Sequence, residues 1–193
     1  IKKGWNLCVL PLSGARVLSQ LSQDISKAYY YINDAWNKFD FSSKKVLKVV
    51  TEGKRVREYE LPFKELYDSI PVQFAAWVYA KRDTQLKTIK LNEYSIELEP
   101  NKWYILYIPN LTKISVSGTL DEIYIYWYTE GEWYRYDVYL DKLYEYKRVC
   151  NLGKCNYQKI EITGEEKVRT LNMGNLCKGY LVYVKGDRKV NIY

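Results

Sequence analysis

The residue types best suited to acid–base chemistry in this chain are carboxylates. Glu130, Glu132 and Asp137 lie close together in one aromatic stretch, and Asp34 and Asp40 lie in a similar stretch nearer the start. Two carboxylates that face each other across a cleft are the catalytic pair of most glycosidases. Asp and Glu are also ordinary turn and surface residues, and no feature of the sequence places two of them across a cleft. We therefore interpret all five as turn and surface residues.

Other catalytic chemistry finds little support in the sequence. The chain has no histidine, the side chain most often used for acid–base catalysis near neutral pH and the commonest metal ligand. A nucleophilic cysteine usually depends on a histidine partner. The sequence has no G-x-S-x-G, P-loop or G-x-G-x-x-G motif, so the common nucleophile and phosphate-binding signatures are missing. We expect a protein that is not an enzyme, with no catalytic residue, no metal and no cofactor.

The four cysteines predict disulfide chemistry. Cys150 and Cys155 flank Asn-Leu-Gly-Lys, a segment typical of a hairpin loop, and opposed positions beside such a loop are close enough for a cross-strand disulfide. Their spacing does not fit a C-x-x-C metal or redox pair. By elimination Cys8 and Cys177 form a second disulfide, or both are buried free thiols; the sequence leaves these two alternatives open.

An aromatic segment from Ile123 to Asp137, IYIYWYTEGEWYRYD, predicts two β-strands around a turn at Thr129–Glu132. Alternation along the first strand puts Ile123, Ile125 and Trp127 on one face and three tyrosines on the other. Both faces are bulky, and a row of three tyrosines suggests a cover, such as the other module, a neighbouring subunit or a ligand. The candidate interface or ligand residues are Tyr124, Tyr126, Trp127, Tyr128, Trp133, Tyr134 and Tyr136.

The strands that must position these residues occur twice in the chain. The recurring landmarks are Trp5 and Trp103, Trp36 and Trp133, the turn glycines Gly53 and Gly153, and the Val-Tyr pairs at Val78 and Val182, which are 98, 97, 100 and 104 residues apart. With 21 Tyr, 6 Trp and 4 Phe, the composition favours strands. We predict an all-β protein with two tandem β-sandwich-like modules, 1–97 and 98–193, related by internal duplication.

Short helices are expected only in the first module. Ser13 is suited to cap a helix that reaches Ile25, and Pro62 is suited to open one that carries Phe63, Leu66 and Ile70 inward. In the second module we expect irregular segments around Asn110–Leu120 and Gly164–Lys178 in their place.

The charge of the chain permits an acidic partner. The net charge is +7 and the pI about 9.0. Arg135, Lys142, Lys147 and Arg148 lie near Tyr134, Tyr136, Tyr144 and Tyr146, and basic side chains interleaved with aromatic ones are typical of single-strand nucleic-acid binders. Acidic residues occur in the same strands and no RNP or helix-turn-helix signature is present, so nucleic acid is possible but not favoured. Exposed Tyr and Trp can also stack on sugar rings, which makes a carbohydrate-binding module the alternative.

The opening GWNLCVLP, the aromatic pair around Trp36 and the Trp-Val-Tyr strand that begins at Trp77 resemble the GWNL-x-x-x-P type β-modules of archaeal and bacterial extracellular and cell-envelope proteins. The resemblance covers most of the first module; in the second, Lys102-Trp103-Tyr104-Ile105 departs from Gly-Trp-Asn-Leu. It implies a non-catalytic surface or assembly module and carries no active residues.

We therefore predict a non-enzymatic structural or assembly protein, secreted to the cell surface or part of a virion. It would act by packing of its β-modules, with copies of itself or other envelope or virion proteins as partners. A chain that starts at Ile1 fits a removed signal peptide or a trimmed sequence, and abundant Lys, Glu and Tyr suggest a thermophilic source. No apolar run is long enough to cross a membrane. Asn110-Leu111-Thr112 is a candidate glycosylation sequon.

Overall fold

The structure is a computed structural model, and it describes residues 1–10, 23–32, 35–52, 55–61, 74–85, 95–117, 122–129, 131–151, 154–175 and 177–193. The chain divides into two compact units. The first comprises Ile1–Lys90 with Ile105–Tyr107, and the second comprises Leu91–Tyr104 with Ile108–Tyr193. The sequence-based division, after residue 97, falls seven residues beyond the end of the first unit's main segment.

The first unit contains a six-stranded antiparallel sheet, which confirms its predicted all-β class. Its strands are β1 (Gly4–Cys8), β2 (Ile25–Ile32), β3 (Ala35–Asp40), β4 (Lys45–Glu52), β5 (Arg55–Leu61) and β6 (Ala76–Ala80). They are arranged in the order β1-β6-β2-β3-β4-β5, so β5 is an outer strand. The strands form because β-branched and aromatic residues alternate along them, an arrangement suited to a pleated, half-buried surface.

The second unit contains another six-stranded sheet and a small three-stranded one. Its elements are β7 (Ile96–Leu98), β8 (Lys102–Tyr107, whose last three residues are assigned to the first unit), a 3-10 helix (Leu111–Lys113), β9 (Val116–Ser117), β10 (Glu122–Thr129), β11 (Glu132–Asp137), β12 (Lys142–Asn151), β13 (Lys154–Ile162), α1 (Gly164–Met173), β14 (Gly179–Lys185) and β15 (Val190–Ile192). The large sheet has the order β13-β12-β11-β10-β14-β8, and the small one the order β7-β15-β9.

The two large sheets share a strand order and most of a register. From β1 to β6 the first sheet corresponds, strand for strand, to β8, β10, β11, β12, β13 and β14 of the second. Tyr29 pairs with Lys38 and then Lys38 with Leu47, and the residues 97 positions later, Tyr126, Arg135 and Tyr144, pair in the same way. The duplication itself stays a prediction, and this common register is the observation that supports it.

The core of each unit is built from the inward side of these strands. In the first unit Tyr30 and Phe39 are fully buried with ring centroids 5.1 Å apart. In the second, Trp127 is fully buried and meets Tyr180 edge-on at 5.9 Å. Burying aromatic rings of this size is the largest apolar contribution a single side chain makes to folding.

The expectation of irregular structure around Gly164–Lys178 is wrong, because Gly164–Met173 forms the α-helix α1. Good helix formers fill this segment, and Glu165 and Glu166 in its first turn interact favourably with the helix dipole. Gly174 ends the helix at φ +51°, where its N–H donates to the Thr170 carbonyl at 2.8 Å. A Cβ at this position would overlap the Tyr180 hydroxyl, so both backbone angle and space favour glycine.

The segment Asn110–Leu120 is partly regular, since it contains the 3-10 helix and β9. The helices predicted between Ser13 and Ile25 and between Pro62 and Ile70 lie outside the described residues, apart from the end of the first. There Gln23 and Asp24 are helical, but Ile25, which was expected to belong to the helix, begins strand β2. Within the described ranges, no helix has the length and apolar character that crossing a bilayer requires.

Candidate interaction surface

Strand β10 positions the candidate residues as its alternation predicts. Ile123, Ile125 and Trp127 point into the core with 1%, 0% and 0% exposure. The intervening tyrosines occupy the other face, and Tyr128 is 41% exposed. The predicted turn is confirmed by the pairing of Thr129 with Glu132, which closes the β10–β11 hairpin.

The outward side of the second sheet carries a continuous group of rings, here called the second aromatic face. It consists of Trp103 from β8, Tyr183 from β14, Tyr124, Tyr126 and Tyr128 from β10, and Trp133 from β11. The centroid of Trp103 lies 4.9 Å from that of Tyr183 and 5.6 Å from that of Tyr126. Tyr128 and Trp133 are 5.4 Å apart. These separations are those of favourable aromatic pairs, so the rings support one another at the surface.

Arg135 lies in the middle of this side of the sheet. Its guanidinium is 5.1 Å from the Tyr124 ring centroid and 4.9 Å from that of Tyr144. Lys159 lies over the same Tyr144 ring at 3.8 Å. Cation–π contacts of this kind hold positive charge beside aromatic rings without a carboxylate, so this side of the sheet is aromatic and basic.

One edge of the second aromatic face carries a short polar chain. The Tyr124 hydroxyl donates a hydrogen bond to the Glu122 carboxylate, and the Lys185 ammonium donates to the same carboxylate at 2.8 Å. The bond to Glu122 raises the pKa of Tyr124 to about 12, because it favours the protonated phenol. Lys185 and then Tyr124 lower the pKa of Glu122 by donating to its charged form.

The first unit presents a corresponding surface, here called the first aromatic face. It consists of Trp5 from β1, Trp77 and Tyr79 from β6, Tyr29 and Tyr31 from β2, and Trp36 from β3. Trp5 lies 5.2 Å from Tyr79 and 5.7 Å from Tyr29, nearly the distances that Trp103 makes to Tyr183 and Tyr126. Trp5, Tyr29, Trp36 and Trp77 line a shallow apolar depression.

The predicted residue set divides between two sides of the sheet. Tyr124, Tyr126, Tyr128 and Trp133 belong to the second aromatic face. Trp127 at 0% exposure and Tyr136 at 8% are core residues instead, and Tyr134 stacks on Trp127 at 5.4 Å on the inner side. Burial raises the pKa of Tyr136, whose hydroxyl donates to Asp141 at 2.8 Å. The prediction treated a two-stranded segment as one surface, although alternation sends neighbouring side chains to opposite sides.

Two members of the second aromatic face, Trp103 and Tyr183, were missing from the predicted set. They come from β8 and β14, which are distant in sequence but lie beside β10 in the order β10-β14-β8. The available signal was the repeat itself, since Trp103 and the Val-Tyr pair at Val182 were both landmarks. Local alternation alone does not indicate which strands are neighbours.

The cysteines are all oxidised. Cys150 and Cys155 form the predicted cross-strand disulfide, with Cα atoms 4.0 Å apart at a directly paired position of β12 and β13. Cys8 and Cys177 are also disulfide-bonded, and no cysteine is free. The alternative of buried free thiols is therefore wrong.

Of the carboxylates first considered for catalysis, Asp40 and Asp137 have local partners in turns, whereas Oε2 of Glu132 is buried without a hydrogen-bond partner. Asp40 accepts hydrogen bonds from the backbone N–H groups of Ser42 at 2.9 Å and Ser43 at 3.0 Å. Asp137, the matched residue 97 positions later, is 4% exposed and accepts from the Leu140 N–H at 3.4 Å. Side chains that cap a turn in this way are common structural aspartates. Asp34 and Glu130 lie outside the described residues.

Asn110 caps the 3-10 helix that follows it. Its side-chain oxygen accepts from the Thr112 N–H at 3.0 Å and from the Thr112 hydroxyl at 2.8 Å. The two polar residues of the sequon are therefore in contact; glycosylation of Asn110 stays a prediction. Across the described ranges, no group of three His, Cys, Asp or Glu residues is arranged to hold a metal ion.

Comparison with known proteins does not assign the chain to a family. The chain matches no family model, and neither curated proteins nor solved structures include a chain that is detectably similar to it.

Proposed function

We propose that the protein is a non-enzymatic structural protein of a cell surface or virion, and that it works by packing its β-modules against neighbouring subunits. Its partners would be further copies of the chain or other envelope or virion proteins. The resemblance to GWNL-x-x-x-P modules supports this class of protein. The two disulfides fit an oxidising, extracellular location, and secretion is part of the proposal.

The observation that carries the proposal is the presence of an exposed aromatic face in each unit, at matched positions. Trp5 is 50% exposed and its counterpart Trp103 46%, while Trp36 is 38% exposed. A contiguous group of exposed rings on a folded protein usually marks an interaction surface, and Trp and Tyr are enriched where protein interfaces bury most of their binding energy. One such face is unremarkable as a surface cluster, but two at equivalent positions favour a role that both modules share.

The proposed absence of catalysis rests on the polar residues of these faces. Asp40 and Asp137 bind backbone N–H groups of their own turns, and Glu122 is engaged by Tyr124 and Lys185. These contacts leave the carboxylates in structural roles and do not pair them across a cleft, as glycoside hydrolysis requires.

Native mass spectrometry and light scattering test the assembly proposal. The wild-type protein should form dimers or larger species in a concentration-dependent way. The double substitution Trp5→Ser with Trp103→Ser should shift the population to monomer by removing one ring from each face. The control, Tyr139→Ser with Val168→Ser, changes two side chains that are 52% and 55% exposed and lie outside both faces. A wild-type protein that stays strictly monomeric at high concentration contradicts the proposal.

The first aromatic face supports carbohydrate binding as a second candidate function. The depression lined by Trp5, Tyr29, Trp36 and Trp77 offers flat rings of the kind that stack on the apolar side of a sugar. Screening on a glycan array tests this directly: a bound glycan whose signal disappears in Trp36→Ala supports it, and a blank array counts against it.

A further inference from the structure

The outer hairpin of the second unit extends beyond the core. From Lys147 to Lys159 every described side chain of β12 and β13 is exposed, on both sides of the hairpin. We call this segment, together with Tyr146 at its base, the basic arm. It contributes nothing to the buried core, so its composition is not explained by folding.

The basic arm concentrates positive charge. Between Tyr146 and Lys159 the sequence contains four cations, Lys147, Arg148, Lys154 and Lys159, and no Asp or Glu. Among the described residues none of the four lies within ion-pair distance of a carboxylate. The first ion pair is at the base of the hairpin, where Lys142 meets Glu161 at 3.5 Å. Glu145, which shares strand β12, points to the inner side and accepts from the Tyr134 hydroxyl. Arg148 and Lys159 lie on the outer side of these strands, whereas Lys147 lies on the same side as Glu145.

Rings and cations alternate on one side of the arm. Tyr146 pairs across the strands with Lys159, and Arg148 pairs with Tyr157, which is 62% exposed. Tyr146 is also the cross-strand neighbour of Trp133, and Trp133 of Tyr128. The arm thus continues the second aromatic face as a row of rings with positive charge beside them.

The disulfide prepares the arm for binding. An isolated two-stranded hairpin is marginally stable, and Cys150–Cys155 ties its two strands together near the tip. A surface that is already ordered loses less conformational freedom when a partner binds.

The geometry points to single-stranded nucleic acid as the ligand of the basic arm and the adjoining row Tyr128, Trp133 and Tyr146. Each nucleotide brings one phosphate and one flat base, which matches the one-to-one alternation of cation and ring. Proteins that bind single strands without sequence preference combine these two features, a basic track for the backbone and aromatic rings for the bases. The matched hairpin β4–β5 fits this ligand less well, because three carboxylates, Glu52, Glu58 and Glu60, lie among its five cations. Glu60 binds Lys45 at 3.0 Å, and Glu58 binds Lys38 of the neighbouring strand β3 at 3.6 Å. This inference does not require the proposed assembly, although Tyr128 and Trp133 also belong to the second aromatic face; the basic arm itself lies outside that face.

Fluorescence anisotropy with a labelled oligo(dT) tests the phosphate contacts. The substitution Arg148→Ala with Lys159→Ala removes the two cations that lie beside the rings, and it should raise the Kd at least about tenfold near 0.1 M salt. It should also reduce the slope of log K against log salt by roughly 1.4, the value for two lost contacts to a single strand. The control, Lys48→Ala with Arg55→Ala in β4–β5, changes the net charge equally and should leave the slope unchanged. No binding by the wild type, or equal losses in both variants, overturns the inference.

A second pair of variants tests base stacking. Tyr157→Leu keeps an apolar side chain but removes the ring, and it should weaken oligo(dT) binding roughly 5- to 150-fold, the range for one lost stacking contact. Its control is Tyr59→Leu, at a 44% exposed position in β5, which should have no effect. Polyphosphate and heparin serve as base-free competitors. Affinity for either that equals the affinity for oligo(dT), or a Tyr157→Leu variant that binds oligo(dT) as well as the wild type does, assigns the arm to polyanions in general and overturns the nucleic-acid inference.

Discussion

The two outer hairpins, β4–β5 and β12–β13, differ although the strands before them agree. Each hairpin pairs in the same register with the strand before it, since Lys38 pairs with Leu47 and Arg135 with Tyr144. In β12 the last paired residue, Asn151, is seven positions after Tyr144. In β4 the last paired residue, Glu52, is five positions after Leu47. The second hairpin is therefore longer by two residues in each strand. It also carries a disulfide, and its tip, from Tyr146 to Lys159, contains four cations and no carboxylate, whereas carboxylates occur along the first hairpin.

This difference shows which parts of the two sheets agree and which do not. Matched buried positions share a register but differ in size, since Tyr30 matches Trp127 and Ala28 matches Ile125; a one-residue slip would turn the apolar side of a strand to solvent. The tips of the outer hairpins bury little, so their length and charge can change without affecting the core. Specific function is therefore expected at β12–β13 rather than in the parts the two sheets share.

The largest expected loss of stability comes from the buried cores, which the two sheets have in common. Tyr30 and Trp127 are 97 positions apart and both fully buried, so Tyr30→Ala and Trp127→Ala should each lower the free energy of unfolding by about 3–5 kcal/mol. Denaturant unfolding measures this. Trp103→Ala, on the exposed side, should lower the free energy of unfolding by less. A loss below about 1 kcal/mol at either buried position would break the equivalence of the two cores.

Removing the disulfide Cys150–Cys155 tests the outer hairpin β12–β13, where the two sheets differ. Cys150→Ser with Cys155→Ser should lower the stability of the arm by about 2 kcal/mol, the chain-entropy value for such a short loop. Hydrogen exchange should accelerate at the amides of β12 and β13 near the tip. The amides of β4–β5 are the internal control. Equal acceleration in both hairpins would contradict a role confined to the arm.

Exchanging the matched cations Arg135 and Lys38 should change the free energy of unfolding by a smaller amount, and by different amounts in the two units. Arg135→Lys should cost about 0.5–1 kcal/mol, because a lysine cannot lie flat between the Tyr124 and Tyr144 rings. The reverse change in the first unit, Lys38→Arg, should be nearly neutral, since Lys27 and Leu47 stand where those rings would be. Urea titration of both variants is the measurement, and equal shifts would show that the rings around Arg135 contribute nothing.

The smallest effect at neutral pH concerns Tyr124, whose matched residue in the first unit is Lys27. Its pKa is raised in the folded state to about 12, so its contribution to stability is fully present below the ordinary tyrosine pKa of about 10. That contribution is lost as the pH rises through about 12. Phenolate absorbance should show several late-titrating tyrosines, including Tyr124 and the buried Tyr136, and Glu122→Gln should return one of them towards about 10. An unchanged titration in that variant would exclude the hydrogen bond as the cause.

Local signals in the sequence were enough to predict the central hairpin and one disulfide. Alternation in Ile123–Tyr128 assigned each side chain to a face, and the structure confirms it. The turn at Thr129–Glu132 and the bridge between Cys150 and Cys155 depend on contacts within a few residues, where spacing restricts the geometry strongly.

Long-range and weakly periodic features could not be predicted in the same way. Helix α1 was missed because it buries little: Leu171 is buried, but Val168 is 55% exposed, so the segment has no apolar stripe. Four of the six members of the second aromatic face were predicted; Trp103 and Tyr183 were missed, because they join it through the order of the strands. The sequence placed Arg148 near tyrosines but not Lys159, and only the pairing of β12 with β13 brings these two cations onto one side.

The outer strands β5 and β13 have a further consequence for how molecules could stack. In the described sheets each has a strand neighbour on one side only, which leaves a row of backbone donors and acceptors able to template another chain. Charged side chains are spread along both rows, including Arg55, Arg57, Glu58 and Glu60 in β5 and Lys154 and Lys159 in β13. Placing copies edge to edge would crowd these charges together, so continuous cross-molecule sheets of the fibrillar kind are disfavoured. Growth by docking of faces, which ends when the faces are covered, is the mode these strands permit.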